Sequence, residues 1–188
     1  MDLVIPKNDI TEKRAAGYGA VAKLLHWGMA LLVLSSLGAM EFRDLFPKGP
    51  IRHEVTDWHF QTGLCVLLLI IVRVAWRIKN PIPPIFPPLS RLQKLSSTAA
   101  HYFLYATMLV LPLLGVLARQ SRGNEVDLFG HILPTFLDEE SGLPYALTIK
   151  AAHTYLGNIF IGLIVVHALM AIFHHYIRQD NTLSRMLP

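Results

Sequence analysis

Four long apolar runs, separated by stretches that carry most of the charge, constrain this chain more than any motif in it. They cover residues 21–42, 58–78, 98–118 and 151–177. At about 1.5 Å of rise per residue, each is long enough to cross a hydrocarbon layer roughly 30 Å thick. Backbone groups in lipid must be satisfied within their own segment, so each run has to be a helix. Composition agrees: 53% of residues are hydrophobic and 16% charged, whereas soluble domains carry about 25% charged residues. The expected fold is an all-α integral membrane protein, a four-helix transmembrane bundle forming one domain over residues 1–188.

Lysine and arginine divide unevenly between the two ends of such a bundle. The N-terminus, second loop and C-terminus hold 11: Lys7, Lys13, Arg14, Lys23, Arg73, Arg77, Lys79, Arg91, Lys94, Arg178 and Arg185. The first and third loops hold 6: Arg43, Lys48, Arg52, Arg119, Arg122 and Lys150. The positive-inside rule therefore predicts cytoplasmic termini. The net charge of +4 reflects this bias, and no nucleic-acid partner is expected. Lys13, Arg14 and Lys23 before an apolar stretch ending in small residues also fit a cleaved signal peptide. That run is long for one and carries His26 and Trp27, so it reads as a retained helix. Residues 80–88 are proline-rich and predict a stiff, extended connector. The loop over 119–150 is the longest, with room for a short helix or a cap on the membrane surface.

Nine histidines are present, and five of them (His26, His59, His101, His153, His167) fall inside or at the edge of apolar runs. An ionisable side chain in a span is costly and points to function. His153 and His167 are 14 residues apart, nearly four helical turns, so both project from one face about 21 Å apart along the axis. Gly63 and Gly157 each follow a histidine by four residues, and a missing side chain one turn away lets a flat macrocycle approach the helix. With the termini inside, His59 and His153 match in depth near the outer face. His26 and His167 match in depth towards the cytoplasm.

Two imidazoles on facing helices leave four equatorial positions of a metal open, which a porphyrin fills. Zinc would need three or four protein ligands at one depth. The rival reading is that single polar histidines merely join helices. The only cysteine, Cys65, excludes an intramolecular disulfide and the paired-cysteine attachment of c-type haem. The expected cofactors are thus two haem b groups, bound non-covalently at His26/His167 and His59/His153. Arg73 and Arg77, four apart at the end of the second run, either snorkel into headgroups or pair with haem propionates. His174, seven residues after His167, is a candidate for a quinone head group or for proton movement. His101 reads as interfacial or as a hydrogen-bond partner, His53 and His131 as surface residues, and Met29, Met40, Met108 and Met170 as packing.

Local signatures add to this pattern: Leu25-His26-Trp27, Ala39-Met40-Glu41-Phe42-Arg43, Pro81-Ile82-Pro83-Pro84, Arg122-Gly123-Asn124, Leu143-Pro144-Tyr145, His174-His175-Tyr176 and Asp180-Asn181-Thr182-Leu183. In this order, from about Tyr18 onwards, the chain resembles the bacterial di-haem cytochrome b561 family. The resemblance implies haem ligation by His26, His59, His153 and His167, a place in the bacterial inner membrane, and electron transfer from superoxide to ubiquinone. An alternative expectation is a quinone-linked subunit serving a dehydrogenase or hydrogenase. Acids in the long loop (Glu125, Asp127, Asp138, Glu139, Glu140) would repel an anionic substrate. The basic candidates to attract one are Lys48, Arg52, Arg119, Arg122 and Lys150.

Overall fold

The computed structural model describes residues 17–188, so Lys7, Lys13 and Arg14 of the orientation count lie outside the described residues. Each apolar run forms a helix: α1 (Ala20–Phe42), α2 (Pro50–Lys79), α3 (Arg91–Gln120) and, after a one-turn α4 (Glu139–Gly142), α5 (Ala146–Tyr176). These four long helices are apolar enough to cross a membrane. The last three begin several residues before their apolar runs do. Their first turns carry polar residues such as Arg52, Glu54, Arg91, Lys94 and Lys150, which suit a headgroup layer and which hydropathy alone does not register.

Local chemistry sets the ends. Pro50 occupies the first turn of α2, where its missing N–H costs nothing. Ser90 caps α3 in a reciprocal box with Gln93. Pro112 lies inside α3 and leaves one turn of its backbone ladder without a donor.

The long helices pack as two partnerships, α1 along α2 and α3 along α5, joined where α2 meets α3. The Cα trace of α5, by contrast, stays largely apart from α1 and α2. A core of Met29, Val33, Val66, Ile70, Leu104, Leu111 and Phe160 closes the bundle, which places Met29 in packing as expected. Outward faces stay apolar, Leu24 and Leu31 for example being exposed, as a lipid-facing surface requires.

The loop after α3 is a folded cap. A two-residue hairpin pairs β1 (Asp127–Leu128) with β2 (His131–Ile132), and Val126 beneath it is buried. Two glutamines hold the cap to the bundle. Gln61 donates to Asp127 O and accepts from Phe129 N, while Gln120 donates to Pro134 O and accepts from Phe136 N. At the other end the C-terminal segment folds back on the proline linker, with Asn181 accepting from Phe86 N and Arg185 donating to Pro83 O.

Candidate haem sites between the helices

The bundle brings the four histidines together in the pairs their depth predicted. His59 on α2 faces His153 on α5 with ring centres 6.0 Å apart and ring planes at 89°. His26 on α1 faces His167 on α5 with centres 6.3 Å apart and planes at 73°. All four rings are half-buried. With about 2 Å from a metal to each imidazole nitrogen, two imidazoles flanking one ion place their ring centres roughly 6 Å apart. Both pairs have that spacing, across the gap that α5 leaves towards α1 and α2. A Cβ added at Gly63, Gly157 or Gly28 would meet no atom within 4 Å. The residues present therefore fit a flat group that each histidine pair would hold between the helices.

In the His59/His153 pair both imidazoles are oriented by backbone carbonyls. His59 Nδ1 lies 2.9 Å from Ser36 O and 3.0 Å from Ser36 Oγ, and His153 Nδ1 lies 3.0 Å from Leu111 O. A carbonyl can only accept, so Nδ1 carries the proton and Nε2 is left as the donor to a metal. Gly115 makes the second contact possible: a Cβ there would come within 3.2 Å of His153 Cε1.

The His26/His167 pair has different surroundings. The Arg73 guanidinium reaches His26 Nδ1 at 3.3 Å and Ala22 O at 3.5 Å. Arg77, one turn on, donates to the Tyr105 hydroxyl at 3.0 Å. His101, read as an interfacial residue or hydrogen-bond partner, lies with its ring 5.5 Å from that of His167 and its Nδ1 2.6 Å from Ser97 O. Beside His26 a cavity of about 430 Å³ is lined by Arg73, Trp76, Arg77, Tyr105, Tyr18 and Met186.

His174 is buried, and its Nδ1 lies 2.5 Å from Asp180 Oδ2, which also pairs with Arg178 Nε at 3.0 Å. His53 and His131 are exposed. Of the cations in the first and third loops, Arg52 pairs with Asp44 at 3.2 Å, and Arg119 pairs with Asp57 at 3.4 Å while lying over the Phe60 ring. Sequence reading missed Ser36, Leu111, Gly115 and Asp180. Asp180 stands in one of the sequence signatures without a role, and Gly115 is visible as a glycine in an apolar run one turn after Leu111.

Membrane-long helices with imidazoles paired across their interior define a haem-binding membrane bundle. Residues 17–188 match the family described as prokaryotic cytochrome b561, and the chain belongs to that family. Members bind haem b and transfer electrons at membranes. The chain is 33% identical over 164 residues to a probable superoxide oxidase, CybB, of Yersinia pestis, covering 87% of this chain and 92% of that protein. It is 36% identical over 165 residues to cytochrome b561 homolog 1 of Escherichia coli K12 (87% and 93% covered). To cytochrome b561 homolog 2 of the same strain it is 29% identical over 174 residues, 90% of each chain.

Proposed function

We propose that this chain is a di-haem electron carrier of the bacterial inner membrane, with both termini cytoplasmic, oxidising superoxide outside and reducing ubiquinone. The observation that carries the reading is the pair of histidine pairs, 6.0 and 6.3 Å between ring centres, both using α5. Haem b held by two imidazoles exchanges one electron at a time without needing an open coordination position. His59 and His153 would hold one group and His26 and His167 the other, with Arg73 and Arg77 as the cations for its propionates. The likeness to a protein named a probable superoxide oxidase supports the substrate.

In the reaction, two superoxide anions each give one electron and leave as O₂. Ubiquinone takes the two electrons and two protons. His174, at the inner end of the His153/His167 face of α5, is the assigned contact for the quinone head. Asp180 holds its Nδ1 side, so the other ring nitrogen would be the one to meet the ligand.

The test is haem stoichiometry followed by reaction with superoxide. Purified protein should contain two haems per chain with a low-spin b-type reduced spectrum. His153→Ala and His167→Ala should each retain one. Stopped-flow mixing with superoxide should reduce the wild type rapidly. Reduction only by a co-purifying dehydrogenase or hydrogenase would shift the assignment to a quinone-linked subunit.

A further inference from the structure

We propose that the cap after α3 is seated in the bilayer itself. Its hairpin tip at Phe129, with Ile132 and Phe136, enters lipid at the boundary between headgroups and acyl chains. The inference uses the membrane-spanning fold and is independent of the haem reading. Its first support is where the cap is tied down. Gln61, which holds Asp127 O and Phe129 N, lies inside the second apolar run and not in the polar first turns of α2. Three residues on, Leu64 is buried with Val116 and Val126, and Leu128 packs against them. Seven residues on, Leu68 lies on the same stripe of α2 and is 54% exposed. From its other end α3 repeats the order. Gln120 holds the cap, Val116 is buried beneath it, and Leu113 is 45% exposed. The cap therefore sits astride the α2–α3 seam, and along both helices the surface just below it is apolar and faces lipid. Gln61 stands only about 10 Å along the axis from Leu68. Trp58, an exposed indole of the kind that collects at headgroup level, lies three residues nearer the start of α2.

The second support is the turn. Phe129 and Gly130 join β1 to β2 with φ of 50° and 88°. A two-residue turn of this hand favours Asn, Asp or Gly at its first position, because a bulky side chain is disfavoured on left-handed backbone. Phe129 nevertheless carries a large ring there, and it is 70% exposed. Ile132 and Phe136 are exposed as well. In water these side chains would bring nothing to offset the strained turn, whereas in lipid each takes apolar surface out of water. The cap stands directly above the stripes of Leu68 and Leu113, so acyl chain is the occupant its apolar side chains meet. Gln61 lies two residues beyond His59 on α2, so a cap seated in lipid also braces the turn that carries this imidazole.

Power saturation of nitroxide labels tests this, in the full-length protein carrying Cys65→Ala and reconstituted into phosphatidylcholine–phosphatidylglycerol vesicles. Molecular oxygen partitions into lipid, and a nickel chelate stays in water. A label at Phe129→Cys should collide several-fold more often with oxygen than with the chelate. Glu140→Cys, on the exposed surface of α4, supplies the reference for a label in water. A label at Phe129→Cys that behaves like this reference would place the cap in water and overturn the inference. Shielding from both probes would overturn it too, because a second protein surface would then cover the tip. If Phe129→Cys does not fold, Ile132→Cys is judged by the same outcomes.

Discussion

Gly115 is the position where one added carbon bears most directly on the His59/His153 pair. A Cβ there would sit 3.2 Å from His153 Cε1, closer than the 3.5–4.0 Å or so at which carbon atoms attract. Gly115→Val should push the His153 ring off Leu111 O and cost the outer haem. The inner one should remain, so pyridine haemochrome assay should read one haem per chain with helical content intact. Two haems per chain in the variant would mean that His153 does not need its carbonyl. This residue also marks what the sequence could disclose. His26, His59, His153 and His167 stand out because a polar ring in an apolar run is conspicuous and their spacing fixes face and depth. The groups that orient His59 and His153 are backbone carbonyls of Ser36 and Leu111, and every residue has a carbonyl. No residue type announces that role, so it becomes visible only when the helices are assembled.

Among the elements, the C-terminal segment after α5 does more than its length suggests. Asp180 has no exposed side-chain surface, and it takes His174, Arg178 and the Thr182 backbone N–H as partners. Burial alone would raise its pKa, but the hydrogen bonds from Thr182 and His174 together outweigh that and hold the carboxyl below its ordinary value. The folded pKa is depressed, so the stabilisation is present in full above the ordinary carboxylate value of about 3.9. It is lost as pH falls through the lowered one. Asp180→Ala leaves Arg178 half-enclosed without its counter-charge and should cost roughly 3 kcal/mol. The variant should melt earlier at pH 7 and show a smaller loss of stability than the wild type on acidification below about pH 4. Equal acid sensitivity in the two proteins would remove Asp180 from this role. The apolar runs located all four spans, yet the polar first turns of α2, α3 and α5 and the fold of this segment escaped them. Both depend on charges and side-chain hydrogen bonds with partners as far away as the proline linker, beyond the reach of a hydropathy window.

At the level of the whole molecule, the distribution of charge decides how an anion could approach the His59/His153 pair. Six cations lie at that end by sequence, but the structure withdraws half of them. Arg43 and Arg52 are tied to Asp44, and Arg119 is tied to Asp57. Among the described residues, Lys48, Arg122 and Lys150 have no such ion pair, while Glu125, Asp138, Glu139 and Glu140 work against them from the cap. The field an approaching anion meets is therefore a small difference between opposed charges, carried by groups in water. Fields of that kind are screened over about 10 Å at 0.1 M salt. The rate of haem reduction by superoxide should fall as ionic strength rises, but only by a few-fold, far short of the largest steering effects. Arg122→Glu with Lys150→Glu should reverse the sign of the dependence, making the reaction slower at low salt and faster as salt is added. Stopped-flow rates across a salt series in the two proteins provide the check. A wild-type rate indifferent to salt would mean that superoxide reaches the outer pair unsteered, and the cations at that end would then serve only to hold the cap on the bundle.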